Sequence, residues 1–324
     1  MSNLEVDPVE TSCGSDAAVG ARLDWLDGRE VALGRYTVVR RLLPHTNRRM
    51  VGAWCFFDHF GPDAVYNTPG MLVPPHPHCG LQTVTWLFEG AVRHSDSLGT
   101  RADIEPGQLN LMTAGRGIAH AEISPPDRPP TLHGLQLWIA LPLGAAEGGA
   151  HFEHHGDLPQ LALPDGVRAT VVIGDFGGVA SPARVHTPLV GVEIALALGG
   201  QTELPLRPDF EYAFVCASGT AVVAGRELAP GALLYLGTGR SSVAVAADTD
   251  ARLFLIGGEP FDEELVMWWN FVARSHEEIV QARADWESGT RFGTVTDYDG
   301  DPLPAPEMPS VRLKPRGREG RPLT

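Results

Sequence analysis

Residues Pro74–Glu122 constrain this chain more than any other stretch. They open with Pro75-His76-Pro77-His78 and close with Ile118-Ala119-His120-Ala121-Glu122. Each end carries two potential ligands one residue apart, and on a β-strand residues i and i+2 share a face. His76 and His78 can therefore point one way, and so can His120 and Glu122. If the two strands are neighbours, four ligands converge. Three imidazoles and a carboxylate form an N/O donor set of intermediate softness, suited to a redox-capable divalent metal such as iron, manganese, nickel or copper.

The remainder of the chain reads as many short strands. Its 324 residues suggest about two domains, and 37 glycines with 27 prolines favour turns over a helical bundle. β-prone runs recur at Tyr36–Val39, Val51–Phe60, Thr83–Phe88, Val92–Asp96, Leu109–Met112 and Leu135–Leu141, separated by turns such as Glu89-Gly90 and Glu105-Pro106-Gly107. This spacing implies an all-β sandwich or barrel. Residues 143–162 read as a linker, 1–20 as a flexible N-terminus and 295–324 as a flexible tail. Near the C-terminus Ser275-His276-Glu277-Glu278 has the form of a capping box, with Ile279, Ala282 and Trp286 at helical spacing before Gly289.

A second β-rich region, residues 163–294, looks like a degenerate copy of the first, 21–142. Trp86 to Gly90 resembles Phe214 to Gly219, and Pro106-Gly107 resembles Pro230-Gly231. The same offsets carry the ligand positions to Pro205, Arg207, Ala244 and Ala246, none of them a strong ligand. One metal per chain is expected.

The formal charge of -15 disfavours direct binding to nucleic acid or to anionic membrane. Cys13, Cys55, Cys79 and Cys216 form no CxxC pair, and no apolar run approaches the length of a spanning helix. A reduced, cytoplasmic protein is the natural reading. Lys314 stands alone against an arginine majority, a bias that suggests a high-GC bacterial genome.

Several of these pieces together resemble the pirin family, a bicupin branch of the cupin superfamily. They are Phe57 to Pro62, His76-Pro77-His78, Met112 to Glu122, Gly134 to Trp138, Gly258-Glu259-Pro260, Trp268-Trp269 and Arg291-Phe292-Gly293. The resemblance implies two cupin-type, jelly-roll-like β-barrels in tandem with a short C-terminal helix. It implies one divalent metal, Fe(II) in the first place with Mn, Ni, Cu or Zn as substitutes, held by His76, His78, His120 and Glu122. It also implies a quercetin 2,3-dioxygenase-type activity on a small aromatic substrate such as a flavonol with O2, Glu122 serving as general base. The alternative it carries is an iron-dependent interaction module that binds a protein partner, a transcription regulator or a metabolic enzyme. The chain is read as a monomer in either case. Where the family has Arg and Glu after the first histidine pair, this chain has Cys79 and Gln82, which removes a positive charge and a second carboxylate from the expected pocket.

Other residues have plainer readings beside the functional ones. Cys79 next to the ligands is a redox candidate or an inert buried thiol. Arg116 could reach a substrate anion or anchor the turn ahead of His120. Asp58-His59 reads as a turn cap, His151, His154 and His155 as a solvated loop, and Trp268-Trp269 as packing at a domain seam.

Overall fold

A computed structural model describes residues 21–33 and 37–320; the expected flexible N-terminus and Tyr36 lie outside these. The chain forms two β-barrels in tandem followed by a short helix, the architecture that the resemblance implies. In the first barrel a seven-stranded sheet runs in the order His151–His155, Leu109–Thr113, Leu81–Glu89, Thr131–Ala140, Trp54–Ala64, Thr37–Leu43, Arg29–Leu33. It faces a four-stranded sheet ordered Leu72–His78, Ile118–Ile123, Val92–Asp96, Arg101–Ile104. The second barrel repeats the plan, an eight-stranded sheet facing a four-stranded one that contains Gln201–Pro205 and Ser242–Ala246.

The two large sheets pack against each other. Leu135, Leu137, Val84 and Phe57 from the first meet Val172, Val215, Phe254 and Ile256 from the second in one apolar cluster, and the Phe57 and Phe254 rings touch edge to face at 6.2 Å. The first barrel's large sheet is therefore covered on both faces. Leu81–Phe88 is buried throughout, which explains why it reads as an unbroken β-prone run rather than an alternating one.

Buried ionic groups cross the seam. Glu193 accepts from the Trp86 indole at 2.9 Å and from Arg252 at 2.9 Å. Glu211 accepts from the Gly52 backbone N–H at 2.6 Å and the Tyr235 hydroxyl at 2.6 Å, with Arg48 3.6 Å away.

Three boundaries differ from the sequence reading. Strand Ala21–Asp27, expected in the first barrel, pairs with Ala232–Gly237 of the second. The stretch 143–162 is structured rather than a loose linker: Leu143–Ala146 is helical, His151–His155 joins the first barrel's sheet and Gln160–Ala162 the second's. Residues 295–320, expected to be flexible, lie along the folded body because their backbone groups find partners there. Leu303 N–H donates to the Pro75 carbonyl at 2.8 Å, Trp286 donates to the Leu303 carbonyl at 2.8 Å, and the Arg318 carbonyl accepts from Arg49 and Met50. The helix His276–Glu287 begins where the capping box places it, with the Ser275 side chain accepting from Glu278 N–H.

Glu211→Ala takes the acceptor from the Gly52 N–H and the Tyr235 hydroxyl and leaves Arg48, which is 1% exposed, with Glu319 as its remaining carboxylate. Breaking one side of a buried charge pair costs about 3–5 kcal/mol, so urea unfolding of this variant is expected to show a loss of that order, with a smaller loss for Glu211→Gln.

Candidate metal centre

The register of the four-stranded sheet builds the site. Leu72–His78 and Ile118–Ile123 are antiparallel neighbours, with His76 opposite His120 and His78 opposite Ile118. The His76, His78 and His120 ring centroids lie 4.3 to 5.0 Å apart, and one ring nitrogen from each falls within 4.8 Å of the other two. Among the described residues this is the one such grouping of metal-type side chains. The pairing register shifts between His120 and Glu122, so that Glu122 stands opposite Val73. Glu122 is buried beside the triad but outside it, its Oε1 3.3 Å from the Thr85 hydroxyl. Sequence spacing expects four converging ligands; the structure gathers the three histidines and places the carboxylate next to them.

The outer nitrogens of two histidines are tied to backbone. His76 Nδ1 donates to the Pro74 carbonyl at 2.8 Å and His78 Nδ1 to the Asn270 carbonyl at 3.0 Å. A carbonyl only accepts, so each Nδ1 carries the proton and each Nε2 carries the lone pair. His120 Nε2 is buried and makes no hydrogen bond. Burial pushes the pKa of His76 down to about 4, and burial with neighbouring imidazoles holds His78 and His120 well below the usual histidine value. Neutral imidazoles presenting Nε2, one of them a buried nitrogen without a partner, fit a divalent transition metal.

The opposite wall is a polar band. Arg41, Asp58, Gln136, Thr85, Asn110 and His154 are successive cross-strand partners on the seven-stranded sheet. Directly paired residues share a face, and the Thr85–Glu122 bond shows that this face looks into the barrel. Arg41 and Asp58 form a bidentate pair at 2.9 Å, and Thr85 donates to Gln136 Oε1 at 2.9 Å. Gln136 Nε2, Asn110 Nδ2 and, one row up, Trp138 Nε1 are buried donors with no hydrogen bond. Trp138 stacks on Phe56 at 4.0 Å and meets the edge of His78.

The other residues singled out from sequence fall elsewhere. Gln82 lies three positions from Thr85 and shares the outer face with Trp86. Its amide donates to Thr113 Oγ1 and to the Arg184 carbonyl of the second half, so it belongs to the seam and not to the pocket. Cys79 turns away from its neighbour His78 into the cluster of Trp268, Phe271 and Phe292, where burial pushes its thiol up to about 12. It is the inert thiol of the plainer reading. Gly80 follows with a positive φ, and a Cβ there would collide with the Val272 carbonyl. Arg116 is exposed outside the barrel, its carbonyl accepting from Arg291 at 2.6 Å. Asp58 lies within a strand rather than at a turn, and His59 Nε2 sits 2.9 Å from His133 Nε2. His151, His154 and His155 are on a strand, not a loop, with His154 bonded to Asn110 at 2.8 Å. Trp268-Trp269 packs in the hairpin that brings Asn270 to His78.

Comparison with known proteins agrees with this architecture. The pirin family model matches residues 36–139 and the pirin C-terminal cupin domain model matches residues 191–293. The chain belongs to the pirin family. A Pseudomonas aeruginosa relative named "putative quercetin 2,3-dioxygenase" is 44% identical over 89% of this chain and 91% of its own. A pirin-like protein of Caulobacter vibrioides is 37% identical over 87% of this chain and 98% of its own. A crystal structure titled quercetin 2,3-dioxygenase from Acinetobacter baumannii superposes with a TM-score of 0.86 at 43% identity, covering 90% of this chain and 97% of that one.

The second pirin barrel differs inside. The offsets from the ligand pairs lead to Pro205, Arg207 and Ala244, which are exposed, and to Ala246, which is half-buried, while Leu204, Val243 and Val245 fill the interior.

Buried neutral histidines make the metal-free protein sensitive to acid. Besides the triad, burial lowers His59 to about 3 and His133 to about 4. The unfolded chain takes up these protons near pH 6.5, whereas the fold resists them until the lowered values are reached. Their stabilising contribution is present above about pH 6.5 and is lost as pH falls towards 4 and 3. Thermal melts of chelator-treated protein from pH 8 to 4 are expected to show a falling Tm over that window, and His59→Asn is expected to flatten the fall.

Proposed function

We propose that His76, His78 and His120, with Glu122 beside them, hold one divalent metal, iron in the cell. The chain then acts as a dioxygenase of the quercetin 2,3-dioxygenase type, opening an oxygen-rich flavonol-like ring with O2. The observation that carries this reading is the buried triad of Nε2 atoms opposite a wall of unmatched hydrogen-bond donors. Support comes from relatives at 44% and 43% identity whose names carry that activity. A bound redox-capable metal would supply Lewis acidity towards a substrate hydroxyl and a place for O2.

The chain's own residues supply the rest. Glu122 is buried beside the triad and takes the proton of the substrate hydroxyl as general base. The Thr85 hydroxyl, 3.3 Å from Glu122 Oε1 and 2.9 Å from Gln136 Oε1, sets that carboxylate against the polar band. Gln136 Nε2, Asn110 Nδ2 and Trp138 Nε1 offer N–H groups to substrate oxygens, which suits an acceptor-rich ring better than an aliphatic one. The stacked Phe56 and Trp138 rings give that ring a flat apolar surface. The deep burial of the triad keeps bulk water from the reacting centre.

The test is anaerobic loading with Fe(II), metal analysis, then quercetin and O2. One equivalent of metal per chain, ring opening and release of carbon monoxide are expected. Fully metallated protein that leaves quercetin intact would overturn the dioxygenase reading, and retention of a protein partner by wild type but not by His76→Ala would favour the interaction module instead. His78→Ala is expected to lose stoichiometric metal. Glu122→Gln is expected to keep the fold and lower kcat by roughly 10²–10⁴-fold, the usual share of a general base. Gln136→Leu removes one neutral hydrogen bond and is expected to raise KM by about 3–10-fold.

A further inference from the structure

His76 and His78 are oriented by backbone carbonyls, but His120 is not. Its Nδ1 lies 3.3 Å from Nδ1 of a fourth histidine, His94, whose Nε2 lies 3.0 Å from Asp96 Oδ2. His94 and Asp96 are on the strand Val92–Asp96, the other neighbour of the strand that carries His120, with Asp96 directly opposite His120. His94 is 4% exposed and Asp96 2%. The His94 ring stacks on Phe152 at 4.4 Å with planes 21° apart.

The direction of each hydrogen bond follows from what the groups can do. Asp96 Oδ1 accepts the backbone N–H groups of Leu98 at 2.9 Å and Thr100 at 3.0 Å. The carboxylate is thereby held in one orientation, with Oδ2 turned to His94. An ionised carboxylate only accepts, so His94 Nε2 carries the proton. A neutral His94 then has a lone pair at Nδ1, and the nitrogen facing it, His120 Nδ1, must carry a proton. His120 is left with its lone pair at Nε2, the atom that makes no hydrogen bond.

We propose that Asp96 and His94 form a positioning relay that fixes His120 in the Nδ1–H tautomer and so presents its Nε2 lone pair to the metal. The inference rests on the metal reading of the triad and adds two residues to it. A ligand histidine whose far nitrogen is held this way is fixed in orientation and tautomer, and loss of such a partner typically weakens metal binding 10–100-fold.

Asp96→Asn gives the sharpest test because it is nearly isosteric. The Leu98 and Thr100 donors keep the amide oxygen in the Oδ1 place, so the amide NH2 faces His94 Nε2 and donates to it. The relay reverses, and His120 becomes Nε2–H. His94→Gln keeps an acceptor for His120 and a donor for Asp96, whereas His94→Phe keeps the stack on Phe152 and has no acceptor. Co(II) affinity by chelator competition is expected to be 10–100-fold weaker for Asp96→Asn and His94→Phe and within about 3-fold of wild type for His94→Gln. Long-range ¹⁵N NMR of metal-free, histidine-labelled protein is expected to show His120 as Nδ1–H in wild type and Nε2–H in Asp96→Asn. Wild-type affinity in His94→Phe, equal weakness of His94→Gln and His94→Phe, or an Nε2–H wild-type His120 would each overturn the relay. Wild-type protein that takes up no Co(II) would instead count against the metal reading, and the NMR arm would still decide the tautomer.

Discussion

The antiparallel pairing that sets His76 against His120 fixes the position of everything else in the site. Side chains on a strand alternate, so a slip of one residue between these two strands would turn one set of these imidazoles out of the barrel. The register is secured on both sides. The strand carrying His120 is held between Leu72–His78 and Val92–Asp96, and Gly80 allows the chain to turn tightly after His78 against the Val272 carbonyl. The same pairing sets the distance from His120 to His94 and brings Glu122 to the end of the Thr85 hydroxyl.

The histidine triad was legible in the sequence because it sets a rare residue type at a spacing that only a strand turns into a shared face. The strand content was legible from turn residues and β-prone runs. What lay beyond reading depends on which face of a strand is inward and on contacts far along the chain. Gln82 and Thr85 sit three residues apart on one strand, and only their parity against a known inward residue separates seam from pocket. Asn270 reaches His78 across 192 residues, and no local pattern announces a carbonyl as a partner. The polar band left a faint trace in the alternation of Leu135, Gln136, Leu137 and Trp138, where the apolar residues face the other barrel and the polar ones face inward. The C-terminal stretch has the composition of a flexible tail, yet it is held by backbone hydrogen bonds, to which composition is blind.

The two barrels show what the fold does not determine. Both are built from a large and a small antiparallel sheet, and both bury their interiors. One interior is apolar, with Leu204, Phe214, Val243 and Val245, and needs nothing further. The other holds a bidentate Arg41–Asp58 pair, four buried histidines and a row of amides and hydroxyls. Burying polar groups costs free energy wherever a hydrogen bond is missing, and here the unmatched donors Gln136, Asn110 and Trp138 cluster on one wall, facing His120. The pirin fold tolerates that cost in its first barrel, and the apolar seam with the second barrel supplies compensating burial on the outer face of the same sheet.

The carbonyl that orients His78 belongs to Asn270, at the tip of a hairpin near the end of the chain. On the ribosome the three histidines emerge long before that hairpin exists. The nascent first barrel would have to wait, with one imidazole unrestrained, until that hairpin had been made and had docked. The orientation of His78 is thus coupled to the docking of that hairpin, and a product terminated before Asn270 would present an unrestrained imidazole.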